Sequence, residues 1–144
     1  MNAEECLQIV RKIYDTNHFC QLCDIKIDSV GCGESVLSMK IDPEKHTNLW
    51  GVVHGGALES LADTSLGVVC ATMGERVVTV SFNMSFVRNI KPGETVRAFA
   101  KVQHRGRTTM VVSVKLFNEE GKLMNHCTAT MMTRGKFPEI PPEW

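Results

Sequence analysis

The chain has 144 residues, and its 16 basic and 16 acidic side chains cancel to a net charge of zero. Hydrophobic residues make up 43% and charged residues 22%, an ordinary globular balance that can bury roughly 70% of the unfolded surface. There is no basic footprint of a nucleic-acid binder and no apolar run long enough to span a bilayer, and "MNAEECLQIVRK" carries acids early, without the basic start and apolar middle expected of a signal peptide. The expectation is one cytoplasmic domain over residues 1–144 with neither a nucleic-acid nor a membrane partner.

Leu7, Val10, Ile13 and Tyr14 form an apolar stripe that predicts an N-terminal helix over about 3–17, with Glu4 and Glu5 suiting its first turn. "HFCQLC" follows, with His18, Cys20 and Cys23, and Cys32 lies nearby. A zinc site needs four ligands at good spacing and only one CxxC is present, so no metal is expected. The six cysteines read as reduced thiols, with Cys6, Cys70 and Cys127 as small core side chains.

Ile25 and Ile27, then Leu37, Met39 and Ile41, alternate on either side of Gly31 and Gly33, which predicts a hairpin. "DPEKHTN" is a polar loop. Residues 54 to about 70 repeat apolar side chains at helical spacing, from Ala57 and Leu58 to Val69, with Gly74 as the stop. Strands follow. In the first, Val78, Val80, Phe82, Met84 and Phe86 are expected on one face and Thr79, Ser81, Asn83 and Ser85 on the other. "KPGE", "RGR" and "EEGK" separate three more strands, and the tail over about 137–144, with three prolines, is expected to be irregular. This order predicts an α+β protein in which a meander of four strands covers the apolar face of one long helix.

The segment "NLWGVVHGGALESLADTSLG" carries the chemistry. His54 and two glycines stand where the long helix begins. Free N–H groups and the helix dipole there favour negative charge, and glycine lets a ligand approach the backbone. Such an end can hold a developing oxyanion, although a tight loop-to-helix junction also uses glycine. Gly56, Glu59 or Ser60, Asp63 and Gly67 then make a small polar stripe on an otherwise apolar helix. A solvated face would carry longer polar side chains, so this stripe suits close approach by a ligand or a second subunit.

"HGGALESLADTSLG" followed by "VVTVSFNMSFVRNIKPGE" resembles the hot-dog fold acyl-CoA thioesterases of the phenylacetate-pathway (PaaI-like) type, over roughly residues 20 to 135. The resemblance implies a long central helix wrapped by an antiparallel sheet. It implies that Asp63 is the general base or nucleophile, that Gly55 supplies the N–H that polarises the thioester carbonyl, and that Asn48 helps place the carbonyl or the water. His54 lies beside Gly55, and Thr79 positions the water or the acid. Gly56, Arg88, Lys91, Arg105, Gly106 and Arg107 are the expected contacts to the substrate and its CoA nucleotide. No cofactor beyond that CoA is implied. The implied assembly is a homodimer or homotetramer with sites built from two subunits.

Simple geometry agrees with a shared site. Asp63 stands nine residues after His54, ~13 Å of helix rise, too far to meet a carbonyl held at the start of its own helix. The expected activity is hydrolysis of an aryl-, arylacetyl- or fatty acyl-CoA to free acid and CoA. The competing expectation is a non-catalytic acyl-CoA sensor on the same fold, which would have no use for a base. A hot-dog dehydratase or hydratase would carry a different histidine and acid arrangement. Leu49, Trp50 and Phe82 are expected to serve core packing.

Overall fold

Asn2 caps helix α1 (Ala3–Tyr14), and Glu5 completes a reciprocal capping box, each side chain accepting the other residue's N–H at 2.9 Å. The computed structural model describes every residue from 1 to 144. α1 ends at Tyr14, short of the expected boundary near 17. Asn17 there caps a second, short helix, α2 (His18–Leu22), accepting from the Cys20 N–H at 3.0 Å.

β1 (Ile25–Gly31) and β2 (Glu34–Lys40) form the expected hairpin, turned at Gly33 with φ +74. The chain then crosses as α3 (Gly55–Ala71) and returns as β3 (Glu75–Phe86), β4 (Thr95–Arg105), β5 (Thr109–Phe117) and β6 (Leu123–Lys136). The six strands make one antiparallel sheet in the order β1-β2-β4-β5-β6-β3.

This order corrects the expected four-strand meander. Only β4, β5 and β6 follow one another, while β2 pairs with β4 and β3 lies at the far edge beside β6. The reason lies in α3. Leu58, Leu61, Leu66, Val68, Val69 and Cys70 are all buried, so the helix is apolar nearly all round. It needs cover from several sides, and a sheet wrapped around it provides that only if the hairpin and the three-strand meander join beneath it.

β3 also departs from simple alternation. Thr79 pairs with Met131 and Ser81 with Thr130, so Val80 is an extra, bulged residue. Before the bulge Val77 and Thr79 face the helix; after it Phe82 and Met84 do, packing on the core. Val78, half exposed, faces outward beside Met132 instead of sharing a face with Phe82.

The tail from Phe137 has no regular structure, as expected, yet it is pinned across the end of α3. The Phe137 N–H donates to the Gly74 carbonyl at 2.8 Å, Ile140 is buried, and the Trp144 indole donates to the Thr72 carbonyl at 2.7 Å. Gly74 has φ +75, and a β-carbon there would collide with the Ile140 carbonyl oxygen. Gly74→Ala is expected to lower stability by more than ~1 kcal/mol through left-handed strain and the displaced tail. Urea unfolding checks this as a lower midpoint at an unchanged slope, and an unmoved midpoint would contradict it.

Candidate active site

The loop that delivers α3 is organised by a residue without an expected role. His46 is buried, its Nδ1 accepts the Asp42 N–H at 2.8 Å, and its Nε2 lies 2.8 Å from the Cys23 carbonyl. A backbone donor on Nδ1 leaves the proton on Nε2, so the ring bridges the loop to the end of α2 as a neutral tautomer. The His46 carbonyl accepts the His54 N–H at 2.7 Å, which sets the position of the helix start. A lone polar residue in a loop has no periodicity to betray its burial, so sequence patterning missed it.

Asn48 also shapes this loop. Its side-chain oxygen accepts the Trp50 N–H at 2.9 Å, an Asx turn that lifts Leu49 and Trp50 into solvent at 84% and 79% exposure. The expectation that these two pack in the core is therefore corrected, whereas Phe82 does pack against it. The Asn48 amide NH₂ is left without a protein acceptor.

His54 is the N-cap of α3. Its Nδ1 accepts the Gly56 N–H at 2.8 Å, and its carbonyl accepts the Ala57 N–H at 2.9 Å. Of the N–H groups in this first turn, the one from Gly55 has no partner in the protein. The Phe86 ring sits against Gly55, 3.3 Å from where a β-carbon would stand. The helix start thus presents a single free donor at its positive end, beside an aromatic wall.

Asp63 lies two and a half turns along the same helix. Thr79 Oγ1 donates to its Oδ1 at 2.8 Å, while Oδ2 has no protein donor. The bulge after Thr79 is what turns this hydroxyl toward α3. Cys127 lies close by, but burial, with the Asp63 charge adding, pushes its thiol up to about 12, so it stays protonated and is no nucleophile at neutral pH. Cys20 points at the Ile25 carbonyl and Cys32 at Pro142, and His18, Cys20, Cys23 and Cys32 do not assemble into a three-ligand cluster.

The basic residues divide between the two ends of α3. Arg88 and Lys91 are exposed just after β3, at the end where Phe86 meets Gly55. Arg105, Gly106 and Arg107 turn between β4 and β5 at the other end, where Arg105 donates to the buried Glu75 at 2.6 Å and Lys136 bonds the same oxygen. Burial alone would raise the Glu75 carboxyl, but those two cations outweigh it and hold it below its ordinary range. Within one chain these two basic groups lie at opposite ends of α3 and do not converge. The grooves along β1, β2, β4 and β5 do not include Gly55, Asp63 or Thr79.

The profile of the thioesterase superfamily matches residues 50–125, from the loop before α3 to β6. The chain belongs to the thioesterase superfamily. This thioesterase is 30% identical over 120 residues to acyl-coenzyme A thioesterase PaaI of Escherichia coli, covering 83% of this chain and 85% of that protein. The solved structure of E. coli PaaI superposes with a TM-score of 0.87 at 26% identity, over 92% of this chain and 96% of that one. A thioesterase of Streptococcus pneumoniae solved with coenzyme A superposes at 0.80 and 27% identity, over 85% of this chain and 98% of that one. Two variants of the Streptococcus protein, in which an aspartate and a threonine sixteen residues apart are separately replaced by alanine, superpose at 0.75 and 0.74. Both variants are 28% identical over 78% of this chain, and they are covered to 92% and 91%. The implied fold, a long helix wrapped by an antiparallel sheet, is the one this thioesterase has.

Proposed function

We propose that this thioesterase hydrolyses acyl-CoA thioesters in a site that two protomers build together, with Asp63 as the acid that drives the reaction. The Asp63–Thr79 hydrogen bond on the small polar stripe of α3 carries the assignment. These two residues are sixteen apart, the spacing of the aspartate and threonine altered in the Streptococcus variants, which supports it.

Thr79 holds one carboxylate oxygen and leaves the other to act. As general base, Asp63 takes a proton from water, and the hydroxide adds to the thioester carbonyl carbon. The oxygen, now negative, is held by the free Gly55 N–H of the partner protomer at its helix start. Collapse breaks the carbon–sulfur bond, and the proton on Asp63 returns to the CoA thiolate. The same geometry would let Asp63 attack the carbonyl directly. His54 fixes the Gly55–Gly56 turn, and the free Asn48 amide helps place carbonyl or water. No cofactor other than the substrate's own CoA enters this scheme.

The split of basic residues fits a shared site. β3 is an edge strand, with Val78 and Val80 half exposed on it. Pairing two such edges around a two-fold axis would remove both edges and set the end of one α3 beside the start of the other. Arg105, Gly106 and Arg107 of one protomer would then approach Gly56, Arg88 and Lys91 of its partner, where the CoA phosphates could meet both. Light scattering at micromolar concentration is expected to give at least a homodimer, with a tetramer of two dimers as the form the family resemblance implies; a monomer would refute the shared site. The reading includes a cytoplasmic, reducing location, supported by six free thiols. No helix is long and apolar enough to cross a membrane.

A non-catalytic acyl-CoA sensor on this fold would have no need of a carboxylate oriented by a hydroxyl. Free-thiol release measured on aryl, short and medium acyl-CoAs decides between them. Turnover supports the hydrolase; tight acyl-CoA binding without thiol release would assign the protein to the sensor class.

A further inference from the structure

The face of the sheet turned away from α3 carries two phenylalanines where a solvated face would carry polar side chains. On β4, Val96, Ala98 and Ala100 are buried toward the helix, which puts Arg97, Phe99 and Lys101 on the outer face. On β5, Val114 and Leu116 are buried, which puts Lys115 and Phe117 outside beside them. The register sets Arg97 opposite Phe117 and Phe99 opposite Lys115, so cation and ring alternate both along and across the strands. The two rings meet on the diagonal, with 5.4 Å between centroids and 85° between planes, and Phe99 stays 46% exposed. Lys101 pairs with Glu34 at 2.9 Å, whereas Arg97 and Lys115 make no ion pair. Glu119, in the turn after β5, accepts the Thr95 N–H at 2.9 Å and closes one end of the quartet. Thr95, Arg97, Phe99, Lys115, Phe117 and Glu119 line a groove of about 750 Å³, a volume within the range of small-molecule sites.

We propose that this outer groove is a second ligand site, separate from the Asp63 site, that binds an aromatic carboxylate of one or two rings. A ring held edge-on to its neighbour leaves flat aromatic surface on which a planar ligand can stack, and the unpaired Arg97 and Lys115 flank it with donors for a carboxylate. Each feature selects. A neutral aromatic would leave both cations without a counter-charge, and a saturated acid would forgo the stacking. Glu119 at the end of the groove repels a second negative charge, which favours a monoanion over a phosphate ester. Folding does not call for rings here, since the core lies on the other face of these strands with Val96, Ala98, Val114 and Leu116. A second copy of the chain is a poor occupant. Docking this face on itself about a two-fold axis would set Arg97 and Lys115 against their own counterparts. The sheet itself stands between the groove and α3, so a ligand bound there meets neither Gly55 nor Asp63.

The probe is naphthoate, titrated calorimetrically into the full chain with saturating CoA present to fill the catalytic site. Saturable binding is expected with a Kd of ~1 mM or tighter, the affinity that a ligand of this size reaches at ordinary efficiency. Phe99→Ala should weaken it ~10-fold or more through the lost stacking surface. Arg97→Gln and Lys115→Gln should each weaken it ~5-fold or more through the lost charge-assisted hydrogen bond. Naphthalenemethanol, which keeps the rings without the charge, and cyclohexanecarboxylate, which keeps the charge without the rings, should each bind ~10-fold more weakly than naphthoate. Thiol release by the three variants should match the wild type, because the substituted side chains lie across the sheet from Asp63. The glutamine variants keep both rings and so decide the matter even if Phe99→Ala loses stability. No saturable binding up to ~10 mM, binding that CoA abolishes, or an affinity unchanged in the folded glutamine variants overturns the proposal. A smaller mass for Phe99→Ala than for the wild type by light scattering also overturns it, and assigns this face to contact between copies of the chain.

Discussion

Asp63→Asn is expected to lower kcat at least ~10²-fold, the loss that follows removal of a general base. Asparagine matches aspartate in shape, and its amide oxygen can still accept the Thr79 hydroxyl. The variant therefore keeps the 2.8 Å contact that ties β3 to α3 but cannot take a proton or attack a carbonyl. Asp63 is exposed in the protomer, so the substitution should alter stability by no more than ~0.5 kcal/mol. The checks are steady-state thiol release and a melting curve on the same sample. Near-wild-type turnover would remove Asp63 from its role and promote Glu59, the other exposed carboxylate on this helix, one turn nearer its start.

Two inactive variants should restore each other. Gly55→Pro removes the N–H proposed to hold the oxyanion. The structure allows this change. Gly55 is the first helical residue, where proline is well accommodated, and its N–H has no protein partner to lose. His54 before it has φ −72 and ψ 132, the extended conformation that a residue preceding proline requires. The Phe86 ring must shift, and it is half exposed with room to do so. Each homodimer alone should be inactive. A heterodimer of Asp63→Asn and Gly55→Pro chains holds one site with both good residues and one with neither. Random exchange makes half the dimers mixed, so about a quarter of wild-type activity should return. Melting curves must first show that the proline variant folds. Verified heterodimers with no activity above either parent would sink the two-subunit mechanism.

The amino-acid sequence by itself determined the elements. α3, the hairpin and the strands after Gly74 announce themselves through spacing, because a core-facing side chain must recur every 3.6 residues on a helix or every second residue on a strand. The site was legible as residue types, with His54–Gly55–Gly56 at a helix start and Asp63 on a stripe of small side chains. Pairing was not legible. A strand pattern states which face is apolar but not which neighbour it meets, and only the cover demanded by a helix apolar on all but one stripe sent β3 to the far edge, beside β6. The bulge at Val80 was hidden for a related reason. One extra residue inverts the facing of every side chain beyond it, and the partner strand alone reveals the insertion. That inversion aims Thr79 at Asp63. The burial of His46 and the reach of Tyr14 to Gly67 likewise depend on segments far apart in the chain, brought together by long-range packing that local periodicity does not encode.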